Sequence, residues 1–482
     1  MLNLKIIFNV LGFLLVLDGF FMLLGIPFSI YYGDNDIVVL LACGALTSGT
    51  GILIKYFTRN HKKEIRARDG YVVVSLGWIV LSLFGALPFV IHGSIPSYTD
   101  AFFETMSGFT TTGASILNDI ELMPHGLLFW RSVTQWLGGM GMIVLSLAIL
   151  PILGIGGMQL FVAEVPGPTK DKIHPRISET AKRLWGIYVI FTLAEAILLF
   201  LGGMNIFDSI NHSFTTMATG GFSTKQASIA YYDSPYIQYV ITIFMFLAGT
   251  SFVIHYHALH GNFKVASKND EFKFYSKVIG VIIVFVAIGL FLNNYGSAEK
   301  SFRDASFQIV SMITTTGFIT ADYELWGSFY QLLFFLLLFT GGCAGSTGGG
   351  IKFVRHLILL KNSFSELRRL IHPRAVIPVR FNSNSVPAEI ISNILAFFLF
   401  YISIFVFGTI IMAFLGMDFL SAMGAVATSL GNVGPAIGSV GPSSNFAHIP
   451  DLGKWVLSFL MLMGRLELFT ILVIISPSFW KR

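Results

Sequence analysis

The sequence is poor in charge. Asp, Glu, Lys and Arg make up 12% of its 482 residues, where a soluble domain carries about 25%. A chain this long with so little polar side chain cannot cover its surface for water, so a soluble enzyme is excluded and lipid is the main solvent. Cysteine is nearly absent. Cys43 and Cys343 lie far apart in apolar or Gly-rich stretches and provide neither a disulfide framework nor a metal motif. No Asp pair, His-x-x-x-His or nucleophile motif falls inside an apolar stretch, which removes membrane-embedded transferases and proteases. No nucleic-acid-binding motif is present. The apolar run from Lys5 to Ile30 is long and lacks an A-x-A-like cleavage site after it, so it reads as a retained first helix and not as a signal peptide.

What the sequence has in abundance is apolar length. Hydrophobic types make up 54%, with 47 Phe, and runs of the roughly 20 apolar residues that cross a bilayer recur from end to end. Lys and Arg gather on one side of them. The connection Tyr31–Asp36 has neither, whereas Lys55–Arg68 holds six, and basic stretches return at Lys170–Arg183, Lys264–Lys277, Lys352–Arg380 and Lys481-Arg482. Arg131, Lys225, Lys300 and Arg303 are the exceptions on the other side. Cytoplasmic loops collect these residues. The alternation predicts spans near 5–30, 38–56, 71–92, 127–155, 184–203, 235–259, 277–294, 328–350, 387–416 and 452–476, with both termini cytoplasmic.

After the first hairpin the spans form four pairs, each joined on the outer side by a segment too short to cross. These segments begin at Asp100, Asp208, Asp304 and Asp418. In the first three a Gly follows thirteen residues after the Asp, in the fourth sixteen. Asp is a good helix N-cap. About two helical turns follow, and Thr and Gly then stop the helix. A short helix that enters from outside and stops at mid-membrane leaves carbonyls unpaired, which is tolerated only beside water or inside protein. Its C-terminal dipole favours a cation. Four such ends around an axis give a ring of carbonyl oxygens that replaces the hydration shell of potassium. The potassium-binding residues, mainly through backbone carbonyls, are then Thr111, Thr112 and Gly113; Thr219, Gly220 and Gly221; Thr315, Thr316 and Gly317; and Asn432, Val433 and Gly434. They match the Thr-Val-Gly start of a potassium-channel filter in part, since the Tyr-Gly half is missing. Close helix packing through small residues does not account for four copies at one place between paired helices.

The prediction is an all-α integral membrane protein with ten transmembrane helices: two N-terminal helices, then four M1–pore-loop–M2 repeats in pseudo-fourfold arrangement. The boundaries are 1–69 for the hairpin and 70–162, 163–262, 263–375 and 376–482 for the repeats.

Outside the four filter segments, Phe129-WRSVTQWLGGMG, Pro151-ILGIGGMQLFVAEVPGPTKDKIHPRISETAKRLW, Gly341-GCAGSTGGGIKF and Gly464-RLELFT with Phe479-Trp480 carry a likeness over nearly the whole chain. The sequence resembles the Trk/Ktr/HKT superfamily of potassium transporters, and its two extra N-terminal helices are similar to the bacterial TrkH branch. The resemblance implies four M1–pore–M2 units around one pore, potassium as substrate with no cofactor on the chain, and a homodimer. It further implies a cytosolic nucleotide-binding ring, TrkA, docked below, and a bacterial cytoplasmic membrane. Gly113 stands where sodium-permeable plant members carry Ser, which favours potassium over sodium.

Two features are expected to close the pathway. Six glycines fall between Gly341 and Gly350, and each costs a helix about 1 kcal/mol against Ala. The segment is expected as an irregular loop across the pore, as in the family, with Gly345, Gly348, Gly349 and Gly350 as gate residues. Its glycine spacing imitates a phosphate-binding loop, but Ile351 stands where Lys is required. Arg465 lies deep in the last span, where a charge costs at least about 2.5 kcal/mol and repels a permeant cation. It resembles the pore-facing Arg of the family. Glu467, two positions on, is poorly placed to pair with it on a helix. Arg131 and Gln135 are expected to be covered by packing or snorkelling, Glu195 to find a donor, and His255, His257 and His260 to form a polar helix end. The alternative is a proton- or sodium-coupled symporter. Its coupling group would be Glu104 or Asp100, and both read better as pore-helix residues.

Overall fold

The computed structural model describes residues 2–59, 66–144 and 173–481, and of residues 67, 142–144 and 173–179 the backbone alone. The end of the 127–155 span, residues 60–65 of the first basic loop and most of the Pro151–Trp185 motif lie outside the described residues. Among the described residues, six helical stretches are long and apolar enough to cross a membrane: Leu4–Tyr32, Ile37–Thr58, Arg68–His92, Thr180–Leu201, Asp270–Leu292 and Ala388–Phe414. The number is eight if two bent pairs each count as one span.

The first hairpin shows how such helices pair without a hydrophobic driving force. A Cβ on Gly12 would stand 2.8 Å from the Gly51 carbonyl, and one on Gly19 would stand 2.5 Å from the Gly44 carbonyl. Backbones therefore meet directly at two levels, the small-residue packing that membrane helices use. The Asp34–Asp36 end of the hairpin is tied to helix His125–Val144, whose first N–H groups donate to Asp34 (2.7 Å, from His125) and Asp36 (3.0 Å, from Leu127). Acidic side chains at a helix N-terminus are where the free donors and the dipole favour them.

Four short helices, Tyr98–Phe109, Ile206–Met217, Ala298–Ile313 and Phe419–Gly431, lie between the long ones. Their 12, 12, 16 and 13 residues make about 18–24 Å of helix, short of a bilayer core of about 30 Å. Their caps depart from expectation. Asp418 alone is an N-cap, accepting from Ser421 N at 3.1 Å. The first three helices start on Ser97, Asn205 and Ser297. Asp100 and Asp208 are therefore third residues of their helices, and Asp304 lies in the middle of its own. A Ser or Asn takes the cap, three residues before Asp100 and Asp208 and seven before Asp304, and the carboxylates of Asp100 and Asp208 in the first turn still suit the dipole.

Three expected spans are broken. The 328–350 span is helix Ser328–Leu337, an irregular stretch, and then the amphipathic helix Phe353–Ile371. The 235–259 span bends by 104° between Ala248 and Phe252, and the 452–476 span by 115° between Arg465 and Phe469. Hydropathy does not register backbone: Gly249-Thr250-Ser251 interrupts one, and Glu467 and Leu468, both at positive φ (53° and 55°), turn the other. A two-residue antiparallel β pair, Arg380–Phe381 with Asn384–Ser385, is the one sheet among the described residues. Its turn is made by Asn382 and Ser383 at positive φ.

Candidate functional site

The four short helices end in the same way. Thr111, Thr219, Thr315 and Asn432 adopt left-handed φ of 53°, 54°, 60° and 52°, and Gly113, Gly221, Gly317 and Gly434 follow at 81°, 77°, 80° and 102°. Between them, the N–H of Thr112, Gly220, Thr316 and Val433 folds back onto the carbonyl five residues earlier: Ser107 (2.8 Å), Thr215 (2.8 Å), Ser311 (2.9 Å) and Thr428 (3.1 Å). Local sequence thus sets one hairpin-like terminus four times, with the donors turned into the helix.

The glycines report how these termini meet. A Cβ on Gly113 would stand 2.2 Å from the Gly220 carbonyl oxygen, on Gly221 2.0 Å from that of Thr316, on Gly317 2.1 Å from that of Val433, and on Gly434 2.7 Å from that of Thr112. The contacts close into a cycle, first segment to second, second to third, third to fourth and fourth to first. The same order recurs in the chain that follows. Ala230 N donates to Ile319 O (3.0 Å), the Tyr323 hydroxyl to Ala436 O (2.5 Å), and Phe446 N to Ser115 O (2.8 Å). All four glycines line one cavity, together with Lys225 and Asn445. The structure therefore brings all twelve sequence-predicted filter residues into one place.

Behind the first and second segments lies a network that the sequence reading missed. Arg131 is 2% exposed and does not snorkel. Its Nε pairs with Glu104 at 2.7 Å, one terminal nitrogen donates to Ser223 O at 3.0 Å and the other to Ser115 Oγ at 3.2 Å. Its guanidinium lies 3.5 Å from the centre of the Phe222 ring. Glu104 also accepts from Ile116 N at 2.9 Å. One turn on, Gln135 donates to Gly220 O (2.6 Å) and accepts from Phe222 N (3.0 Å). The signal was present: two polar side chains four apart on an apolar helix share a face.

At the helix ends of the ring the Gly-rich loop is irregular, as its composition predicts. Gly349 N donates to Thr315 Oγ1 (2.7 Å), and Thr347 Oγ1 donates to Met217 O (3.0 Å). A Cβ on Gly348 would meet Thr314 O at 2.9 Å and one on Gly349 would meet Gly431 O at 2.7 Å. The loop thus touches the C-terminal ends of the second, third and fourth short helices. Gly345 and Gly350 carry positive φ, 75° and 63°, and Gly345 O accepts from Phe252 N. Arg465 is 1% exposed. It donates to Thr347 O and to Gly138 O, 2.8 Å each. Glu467 pairs instead with Arg355, so the nearest acid in sequence does not neutralise Arg465. Glu195 departs from expectation. Its carboxylate is buried with no hydrogen-bond partner among the described residues; the Thr216 hydroxyl beside it donates to His212 O, one turn back in its own helix. His255 and His260 bond to the carbonyls of Leu247 and Tyr256.

A multi-pass helical membrane protein with four convergent half-length helices is thereby defined. Residues 40–482 match the family model described as TrkH, cation transport protein. The chain is 42% identical over its whole length, and theirs, to the Trk system potassium uptake proteins TrkH of Salmonella typhimurium and Escherichia coli K12. The crystal structure of the potassium transporter TrkH from Vibrio parahaemolyticus superposes with a TM-score of 0.92 at 38% identity, covering 99% of this chain and 100% of that one. The chain belongs to the TrkH family of cation transport proteins.

Proposed function

We propose that this chain is a potassium uptake protein whose ion pathway runs through the ring of the four triplets, Thr111–Gly113, Thr219–Gly221, Thr315–Gly317 and Asn432–Gly434. The cyclic approach of each filter glycine to the next segment's carbonyl is the observation that carries the reading. It supports a pseudo-fourfold arrangement of the repeats at 70–162, 163–262, 263–375 and 376–482, with ten crossings once the broken spans and helix His125–Val144 are included. The relatives are potassium uptake proteins by name, which supports potassium as substrate and a transport role without catalysis.

Beneath the ring, Arg465 and the loop of Gly345, Gly348, Gly349 and Gly350 form the closing constriction. An Arg that meets no carboxylate among the described residues repels a cation at that level. Opening is assigned to a cytosolic nucleotide-binding ring of the TrkA kind, and the chain to a homodimer in a bacterial cytoplasmic membrane with both termini inside. A potential of 100 mV contributes about 2.3 kcal/mol per monovalent charge, enough for roughly 50-fold accumulation, so uptake needs no coupled ion. The symporter reading draws no support from the candidate carriers, because Glu104 is bonded to Arg131 and Asp100 to Lys454 at 2.5 Å.

The purified chain in liposomes, with its cytosolic partner and nucleotide, tests the function. Potassium flux well above sodium flux, with a reversal potential indifferent to external pH, is expected. A reversal potential that follows pH at fixed potassium supports the symporter instead.

A further inference from the structure

The Gly-rich loop hangs on one carboxylate that the ion pathway does not use. Glu271 stands in the first turn of helix Asp270–Leu292 and is 3% exposed. Its Oε1 accepts the N–H of Ala344 at 2.7 Å and the N–H of Val354 at 3.0 Å. These donors flank the whole gate segment: Gly345, Thr347 (whose carbonyl holds Arg465), Gly348 to Gly350 and Lys352 lie between them. Lys352 and Arg355 place positive charge beside the carboxylate. A glycine-rich segment has more conformational freedom to lose than any other, so fixing its two ends to one oxygen removes much of the freedom it would otherwise use to move aside.

The same helix turn also reaches the inner surface. Asp270 pairs with Lys361 at 2.7 Å, on helix Phe353–Ile371, and its N–H donates to Asn382 Oδ1 at 2.7 Å in the β turn. A shift of that helix or turn acts on the helix that carries Glu271.

We propose that Glu271 is a positioning residue for the gate: its carboxylate clamps the two ends of the 344–354 loop together and so keeps Thr347 against Arg465. The clamp matters for flux only if the loop is the gate, as read above. Cys343 tests the two statements separately, because it sits at the loop's entrance, fully buried, with its N–H bonded to Gly249 O at 2.8 Å. In full-length protein carrying Cys43→Ala, Cys343 is the remaining thiol, and its alkylation rate by a maleimide reads the loop directly. Glu271→Ala removes an acceptor serving two N–H groups, and is expected to raise that rate by about tenfold or more. Glu271→Gln keeps an acceptor oxygen and is expected to restore the parent rate. Cys43 in a Cys343→Ala background, buried in the first hairpin, is expected to be unaffected by Glu271→Ala, which separates local release from unfolding. An unchanged Cys343 rate in Glu271→Ala, or a Cys43 rate that rises with it, overturns the clamp. A raised Cys343 rate with unchanged partner-free potassium flux leaves the clamp established and overturns the loop as gate.

Discussion

Replacing Arg465 by Gln takes a full charge from beneath the ring and keeps an amide able to donate to one of its two carbonyls. Two effects add. The guanidinium bonds to Thr347 O and Gly138 O, 2.8 Å each, and a hydrogen bond from a charged group contributes about 1.5–3 kcal/mol. Losing the bond to Thr347 O, the one of the two that lies in the loop, loosens the loop by that amount. A cation passing about 4 Å from the guanidinium also meets repulsion of about 4 kcal/mol at an effective dielectric of 20. With a factor of ten for each 1.36 kcal/mol or so, partner-free flux rises on the order of a hundredfold or more if this level limits passage, and other barriers cap the gain. Potassium flux into liposomes without the cytosolic partner measures it, with thermal unfolding of both proteins as a check on folding. Arg465→Lys keeps the charge but not the fork, so it loses the hydrogen-bond part alone and is expected to rise on the order of tenfold, well short of Arg465→Gln. Parent-like flux in Arg465→Gln refutes the gate argument, whatever the Lys variant does.

Glu104→Gln leaves Arg131 buried without its counter-ion, a change that costs about 3–5 kcal/mol. Its thermal unfolding midpoint is expected to fall further than that of Asp100→Asn, whose partner Lys454 meets a carboxylate that is 25% exposed. Gln135→Ala removes two hydrogen bonds from the second filter segment, at Gly220 O and Phe222 N, worth about 1 kcal/mol each. A bi-ionic reversal potential is expected to show weaker potassium-over-sodium selectivity, with a thermal unfolding midpoint that falls by less than in Glu104→Gln.

The four converging segments were legible because their signal is local. A helix stop of Thr or Asn followed two residues later by Gly recurs at a regular distance, and each copy can be read without knowing the others. The caps were misassigned for the same reason: an Asp that recurs with that regularity at Asp100, Asp208 and Asp304 outweighed the less regular Ser97, Asn205 and Ser297 that do the capping. Arg131 was misread because its partner Glu104 is on another helix, and a charge with a distant partner looks like any amphipathic side chain in one sequence. The Gly-rich loop announced that it breaks a helix but not what it touches. Its contacts with Met217, Thr315 and Arg465 belong to three other parts of the chain. The bend at Glu467 and Leu468 escaped because two non-glycine residues at positive φ, at about 1–3 kcal/mol each, are held by tertiary contacts such as the Arg355–Glu467 pair, and composition carries no trace of that.

The ring of four glycine-marked segments is proposed to select the ion. Gly113→Ser tests it most directly. The residue has φ of +81°, and a Cβ there would stand 2.2 Å from the Gly220 carbonyl oxygen, so either that carbonyl or the first segment must move. Potassium and sodium fluxes through parent and variant in the same liposomes are the measurement. A variant that elutes as folded protein and conducts, with its potassium-to-sodium ratio fallen toward unity, is the predicted result. A folded variant that keeps the parent's ratio contradicts the account.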